Sequence, residues 1–284
     1  MSLPRAQAAL PVPTSPSVLL PDGACDAHVH LVGDDFPLWE KRVEDPAPGT
    51  LDDYLAHYRT HLKTLGFSRG VIVHSILFGA DNSVTIQAVR RLGAGFKGIG
   101  LVGDDAKESD LDALVAANIK GVRLNYVHGG ILSWEGAMRL APALAERGLH
   151  IEMLAHAHLH LRDLAPDVRR SPVEIVFDHM AWPDEADPKA EAGLACLAEL
   201  LAEGAAWTKL SAPYRFTRDA AGMTGQLLAA NPDRCLWGSD WPHLMLNGVA
   251  QPDAGQLLNA FLALTTPEIR QKVFVDNPAT LYGF

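Results

Sequence analysis

A chain of 284 residues is long for an average domain and ordinary for one closed α/β barrel, which takes about 250. Its 48% hydrophobic and 20% charged residues argue against a disordered or fibrous protein. Its net charge of -10 argues against nucleic acid or an anionic membrane as a partner, because both are gripped by clustered Lys and Arg.

A small anionic substrate stays open, since a few inward arginines set the potential of a pocket whatever the total charge. Cys25, Cys196 and Cys235 are odd in number and widely spaced, without a C-x-x-C pair. That fits a reducing compartment with no disulfide framework. No apolar run reaches the roughly 18 residues a spanning helix needs, and the N-terminal segment lacks the apolar core of a signal peptide. The expectation is a cytoplasmic protein.

Residues 1–22 hold Pro4, Pro11, Pro13, Pro16 and Pro21 and read as an extended arm; 23–284 read as a single domain. Eight β-branched or apolar runs follow: 25–32, 70–76, 98–102, 121–126, 150–154, 173–177, 207–210 and 235–237. Segments with helical spacing separate them, at 51–65, 82–92, 109–117, 134–147, 158–168, 190–203 and 220–230. Two more, 253–264 and 267–276, close the chain. Thr50, Ser109 and Ser133 offer N-caps, and Gly66, Gly93 and Gly148 offer stops. Strands alternating with helices imply a parallel sheet, and eight such units imply a (β/α)8 TIM barrel. The runner-up, an open doubly wound sheet, usually shows a Gly-rich loop after its first strand; here that strand ends in His-Val-His.

Catalytic groups of such a barrel stand at the C-terminal ends of its strands. His28 and His30 close the first strand two residues apart, so both point to one face. Two imidazoles side by side in a lumen are either half a metal site or a pair of proton donors. His74 ends the second strand alone, where a structural role is as plausible as a functional one. Arg123 sits between Val122 and Leu124 in the fourth strand, which is costly unless its fork meets an anion. That anion is a substrate carboxylate or a core acid. Tyr126 closes the same strand as a candidate substrate contact. Of the His-rich run after the fifth strand, His156 is the one within reach of the site. Asp178 and His179 close the sixth strand. Lys209 and Arg215 around the seventh are further cationic candidates, with ordinary surface charge as the alternative. Asp240 follows Gly-Ser after the eighth, where partial burial would tune a general base.

A first-strand His-x-His, the run Asp178-His179-Met180 and the run Gly238-Ser239-Asp240-Trp241-Pro242-His243 together resemble the amidohydrolase superfamily. The branch is the one that contains 2-pyrone-4,6-dicarboxylate lactonase and sugar-lactone lactonases. The resemblance spans nearly the whole chain and includes Gly121–Asn125 and Asn277-Pro278. It implies a hydrolase in which His28, His30 and His179 polarise a lactone carbonyl, Asp240 moves the proton of the attacking water, and Arg123 and Arg215 hold substrate carboxylates.

The chain also departs from the family. Metal-dependent members add a Lys or Glu ligand on strand four and a His at the end of strand five, where this chain reads Met153-Leu154-Ala155. No metal is therefore expected to be required, while His28, His30 and Asp240 could still hold zinc or another divalent ion. Ile76 and Leu154 stand where the pyrone lactonases carry a Ser and a Tyr. The alternatives are a zinc-dependent hydrolase or decarboxylase of the same fold, and a barrel that binds a small acid without catalysis.

Overall fold

The computed structural model describes residues 3–284; the first two residues of the predicted arm lie outside the described residues. Among the described residues, eight parallel strands form one sheet in chain order. They are β1 (Cys25–Val29), β2 (Arg69–Val73), β3 (Phe96–Gly100), β4 (Ile119–Asn125), β5 (His150–Leu154), β6 (Ile175–Phe177), β7 (Trp207–Leu210) and β8 (Cys235–Trp237). The helices between them are α1 (Leu51–Leu65), α2 (Ser83–Leu92), α3 (Glu108–Ala116), α4 (Trp134–Glu146), α5 (Arg162–Arg170), α6 (Ala190–Ala202) and α7 (Ala220–Ala230). α8 (Ala254–Ala263), α9 (Pro267–Gln271) and α10 (Asn277–Tyr282) finish the chain. No helix among the described residues is long and apolar enough to cross a membrane.

The local signals explain most boundaries. The Thr50 hydroxyl accepts from the Asp53 amide while the Asp53 carboxylate accepts from that of Thr50, a capping box. Gly66 stops α1 at φ 87°, in the left-handed region. Ser133 caps α4 by accepting from the Gly136 amide. The expected Ser109 cap fails: α3 starts one residue earlier, and Asp110 accepts from the Lys107 amide instead. The segment expected at 158–168 opens with a π-helical turn, Ala157–Leu161, before α5. The last helix outruns its expected end. A π turn at Lys272–Asp276 lets the chain enter α10, whose first turn takes Pro278 where a missing N–H costs nothing.

β1 carries an irregularity between Asp26 and Val29. On either side of Asp26, Cys25 and Ala27 pack with Val71, Val73, Ile99, Val176 and Leu236 inside the barrel, closed by Tyr282. Asp26 points outward and accepts from the Ser239 amide at 2.8 Å and the Ser239 hydroxyl at 2.6 Å. The bulge then turns His28 and His30 inward. The outward faces of the strands pack on the helices in one large apolar core.

The barrel closes through the site itself. The Asp240 amide donates to the His28 carbonyl at 2.9 Å, and the His30 amide to the Trp241 carbonyl at 2.7 Å. Gly238 makes this seam possible, since a Cβ there would stand 2.4 Å from His28 Cβ and 2.7 Å from its backbone nitrogen. Gly238→Ala is therefore expected to destabilise by about 3 kcal/mol or more, because the obstacle is backbone. A denaturation midpoint within error of wild type would refute this.

The arm is tied to loops at the catalytic end. The Ala6 amide donates to the Asp45 carbonyl, and the Asp45 amide to that of Pro4, each at 2.8 Å. The Thr14 hydroxyl donates to Asp253, which also caps α8.

Candidate active site

Four side chains converge at the C-terminal mouth. His28 Nε2, His30 Nε2 and His179 Nε2 lie 3.8, 3.6 and 3.7 Å from Asp240 Oδ1. His28 Nε2 and His30 Nε2 are 3.2 Å apart. Each ring is held from behind. His30 Nδ1 meets the Val73 carbonyl at 2.8 Å, His179 Nδ1 meets the Ser211 hydroxyl at 2.7 Å, and His28 Nδ1 stands 3.1 Å from Asp178 Oδ1. His179 and Asp240 adopt φ 52° and 61°, a left-handed conformation uncommon outside glycine and typical of sites that store strain.

The second oxygen of Asp240 is fully engaged. Oδ2 accepts from the Tyr214 hydroxyl at 2.7 Å and from Arg215 Nε and Nη2 at 3.0 and 2.7 Å. Burial alone would raise the Asp240 carboxyl. Arg215 and then the three imidazoles more than reverse this and hold it well below the usual range. Burial pushes the His30 ring down to about 3 and His179 to about 4, and His28 is also held well below its ordinary value. At neutral pH the cluster is three neutral imidazoles facing one carboxylate oxygen.

The other predicted residues divide. Arg123 lines the cavity beside His30 and His179, but its Nε and Nη2 donate to Asp178 Oδ2 at 3.2 and 3.1 Å. Its Nη1 donates to the His74 carbonyl, so the core acid claims most of its fork. Arg215 is likewise committed: beyond Asp240 it donates to the Leu244 and Met245 carbonyls. A two-pronged grip on a substrate carboxylate is not available to it, and its effect is exerted on Asp240.

His74 has both ring nitrogens occupied, by the Thr85 hydroxyl and the Gly79 carbonyl, each at 2.9 Å. Of the two roles its lone position at the end of β2 left open, substrate contact and structural support, the bonds are those of structural support. Tyr126 is turned away too, its hydroxyl accepting from the Trp134 amide at the start of α4. His156 points its Nδ1 at the Trp182 carbonyl.

Sequence reasoning missed Asn125 and His128, which also line the cavity. Asn125 Oδ1 accepts from the amides of Val127 and His128, which fixes the orientation of its amide. Its Nδ2 is buried without a partner among the described residues. Tyr214, which no sequence signal singles out, reaches the site through its bond to Asp240.

His28, His30 and Asp240 each offer a ligand atom, all within 4.8 Å of one another, a spacing that suits a metal ion. The charge around them does not suit one. Lys209 Nζ stands 3.2 Å from His28 Nδ1, which places a cation directly behind one of the three ligands.

The barrel gathers histidines at the ends of its first and sixth strands and an aspartate after its eighth at the C-terminal mouth, where (β/α)8 enzymes carry their active sites. The chain belongs to the amidohydrolase family, which matches residues 25–284. It is 34% identical over 302 residues to a 4-sulfomuconolactone hydrolase of Rhizobium radiobacter, covering 99% of each chain. It is 31% identical over 290 residues to a 2-pyrone-4,6-dicarboxylate hydrolase of Comamonas testosteroni, covering 95% of this chain and 93% of that one. A crystal structure from Acinetobacter baumannii with citric acid bound matches the fold with a TM-score of 0.80 at 22% identity, over 92% of this chain and 100% of that one.

Proposed function

We propose that this protein is a lactone hydrolase that opens a carboxylated lactone by attack of water and requires no metal. The observation that carries the reading is the division of labour on Asp240. One oxygen is locked by Arg215 and Tyr214, and the other faces three imidazole nitrogens. A carboxylate held rigidly with one free lone-pair edge is a general base in position. Both relatives above are named for ring esters that also bear an acidic group.

In the proposed reaction a water bonded to Asp240 Oδ1 gives that oxygen its proton and attacks the lactone carbonyl carbon. His179 on the same wall, whose Nδ1 can take a hydrogen from the Ser211 hydroxyl and leave its own on Nε2, donates to the carbonyl oxygen as negative charge develops there. The ring C–O bond breaks as the intermediate collapses, and Asp240 returns the proton to the leaving oxygen. The product is a hydroxy acid, or its keto tautomer where that oxygen was enolic. Asn125 Nδ2, the remaining N–H groups of Arg123 and the His128 ring supply the polar wall for the substrate anion. A buried amide donor left unpaired costs about 1–3 kcal/mol, which a bound anion would recover.

The spacing of His28, His30 and Asp240 favours a second reading, a zinc-dependent hydrolase or decarboxylase, with those three as ligands. There the ion would polarise the bound substrate. One experiment separates the two. Bound metal is measured by elemental analysis, and 2-pyrone-4,6-dicarboxylate, muconolactone-type compounds and sugar-acid lactones are assayed before and after chelation. Turnover is expected to survive chelation. Turnover that vanishes and returns with zinc overturns the metal-free reading, and a panel with no turnover overturns the lactonase.

A further inference from the structure

Behind the four converging groups lies a buried layer that the proposed reaction does not use: Glu152, Lys209 and Asp178. Lys209 Nζ is 2.6 Å from Glu152 Oε2, 3.4 Å from Asp178 Oδ1 and 3.2 Å from His28 Nδ1. His28 Nδ1 therefore has two competing neighbours. Asp178 would accept an Nδ1–H; Lys209 would donate to a bare Nδ1.

The other edge of the ring decides between them. His30 Nδ1 meets the Val73 carbonyl, which only accepts, so that nitrogen carries the hydrogen. A neutral His30 then presents a bare Nε2. His28 Nε2 stands 3.2 Å from it, and a hydrogen bond across that gap needs the hydrogen on His28 Nε2. A neutral His28 protonated there is bare at Nδ1, and its partner is Lys209. Asp178 then keeps two bonds from Arg123 on its other oxygen, while its Oδ1 faces the Lys209 ammonium at 3.4 Å.

We propose that Lys209 is a positioning residue that holds His28 as its Nε2–H tautomer and so keeps the His28–His30–Asp240 group a hydrogen-bonding site and not a metal site. Ligation would require bare Nε2 atoms on both histidines and an Nδ1–H on His28 turned to Asp178. An ammonium at His28 Nδ1 opposes both requirements on His28, by occupying that nitrogen, and adds a like charge beside the ion. The carboxylate–histidine pair that usually supports a metal ligand is present in Asp178 and His28, with Lys209 inserted against it. The assignment deepens the metal-free reading above and rests on it only for its catalytic consequence.

Two measurements read it without activity. Nitrogen-15 NMR of the wild-type imidazoles, with His28 assigned by the signals lost in His28→Asn, is expected to show His28 protonated at Nε2 and bare at Nδ1. A ring protonated at Nδ1 overturns the proposal. Calorimetric titration with Zn²⁺ is expected to give at least ~10-fold tighter binding to Lys209→Met than to wild type. Because that change strands Glu152, Lys209→Met/Glu152→Gln, which removes both ionisable groups, is titrated alongside. Equal zinc affinity in a folded variant overturns the proposal. With a lactone substrate, kcat of the double variant is expected to fall ~10-fold or more with KM little changed, whereas a merely structural loss would scale with folded protein. If no lactone is turned over, the function reading fails while the NMR and zinc results still decide the role of Lys209.

Discussion

Asp240→Asn is expected to lower kcat by about 10³-fold while leaving ligand binding within a few-fold of wild type. General-base catalysis contributes about 10²–10⁴ in rate, so removal of the base should raise the barrier by about 4 kcal/mol. The change keeps size and shape. The asparagine oxygen can still accept from Arg215 and Tyr214, and its NH₂ then faces the imidazole nitrogens that the carboxylate oxygen faces now. The fold should survive, which makes the kinetic loss interpretable. The check pairs kcat on a turned-over lactone with calorimetric binding of the hydroxy-acid product. Retention of kcat within ~10-fold of wild type would remove Asp240 from the role of base. Wild-type binding of the anion with no turnover at all would leave a binding barrel.

The same geometry gives Arg215 an indirect role. Its guanidinium sits on the Asp240 oxygen that faces away from the imidazoles, so it fixes the direction of the free lone pairs and keeps the carboxylate ionised. The base is correspondingly weak, and its efficiency has to come from placement and from dehydration of the site more than from basicity.

Barrel and strand ends were legible because period and punctuation are local. Eight apolar runs, each followed by a capped helical segment, leave little choice of architecture, and β1, β5, β7 and β8 begin where the apolar runs do. The two-residue spacing of His28 and His30 was enough to place them on one face. That spacing says nothing of the bulge that turns Asp26 outward while Ala27 and His28 both face in. Partner choice was the illegible part. Arg123 meets Asp178 across 55 positions, and Lys209 meets His28 across 181, distances over which no periodicity carries information. His74 and Arg215 looked like substrate ligands because polar groups at strand ends usually are. Carbonyls, a hydroxyl and the Asp240 carboxylate claim them first. Asn125 could have been found as the next inward position after Arg123 on β4, although only the structure shows its amide unpaired.

Acid should unfold this protein in a range where most globular proteins are still stable. Burial holds nine histidines below their ordinary value, seven of them strongly: His30, His150 and His243 at about 3, His74, His128 and His179 at about 4, and His28 well below 6.5. An unfolded chain protonates all of them near 6.5; the folded chain protonates six of them only around 4 or lower, and His28 well below 6.5. Between those limits the unfolded state binds more protons, so stability rises with pH and is lost as pH falls. Each such histidine contributes a slope approaching about 1.4 kcal/mol per pH unit. Glu152 works in the opposite sense. Burial and the neighbouring Asp178 push its carboxyl up to about 8, so between 4.5 and 8 the folded state holds the extra proton and stability falls slightly as pH rises. Seven groups outweigh one below 6.5, and Glu152 acts alone above it. Urea midpoints are expected to be highest near pH 6.5–7, to decline gently toward 8, and to drop steeply from 6.5 to 5. A profile flat between 6.5 and 5 would mean that the buried imidazoles already carry their protons in the native state, and with them a positively charged site in which Asp240 is paired and no longer free to take a proton from water.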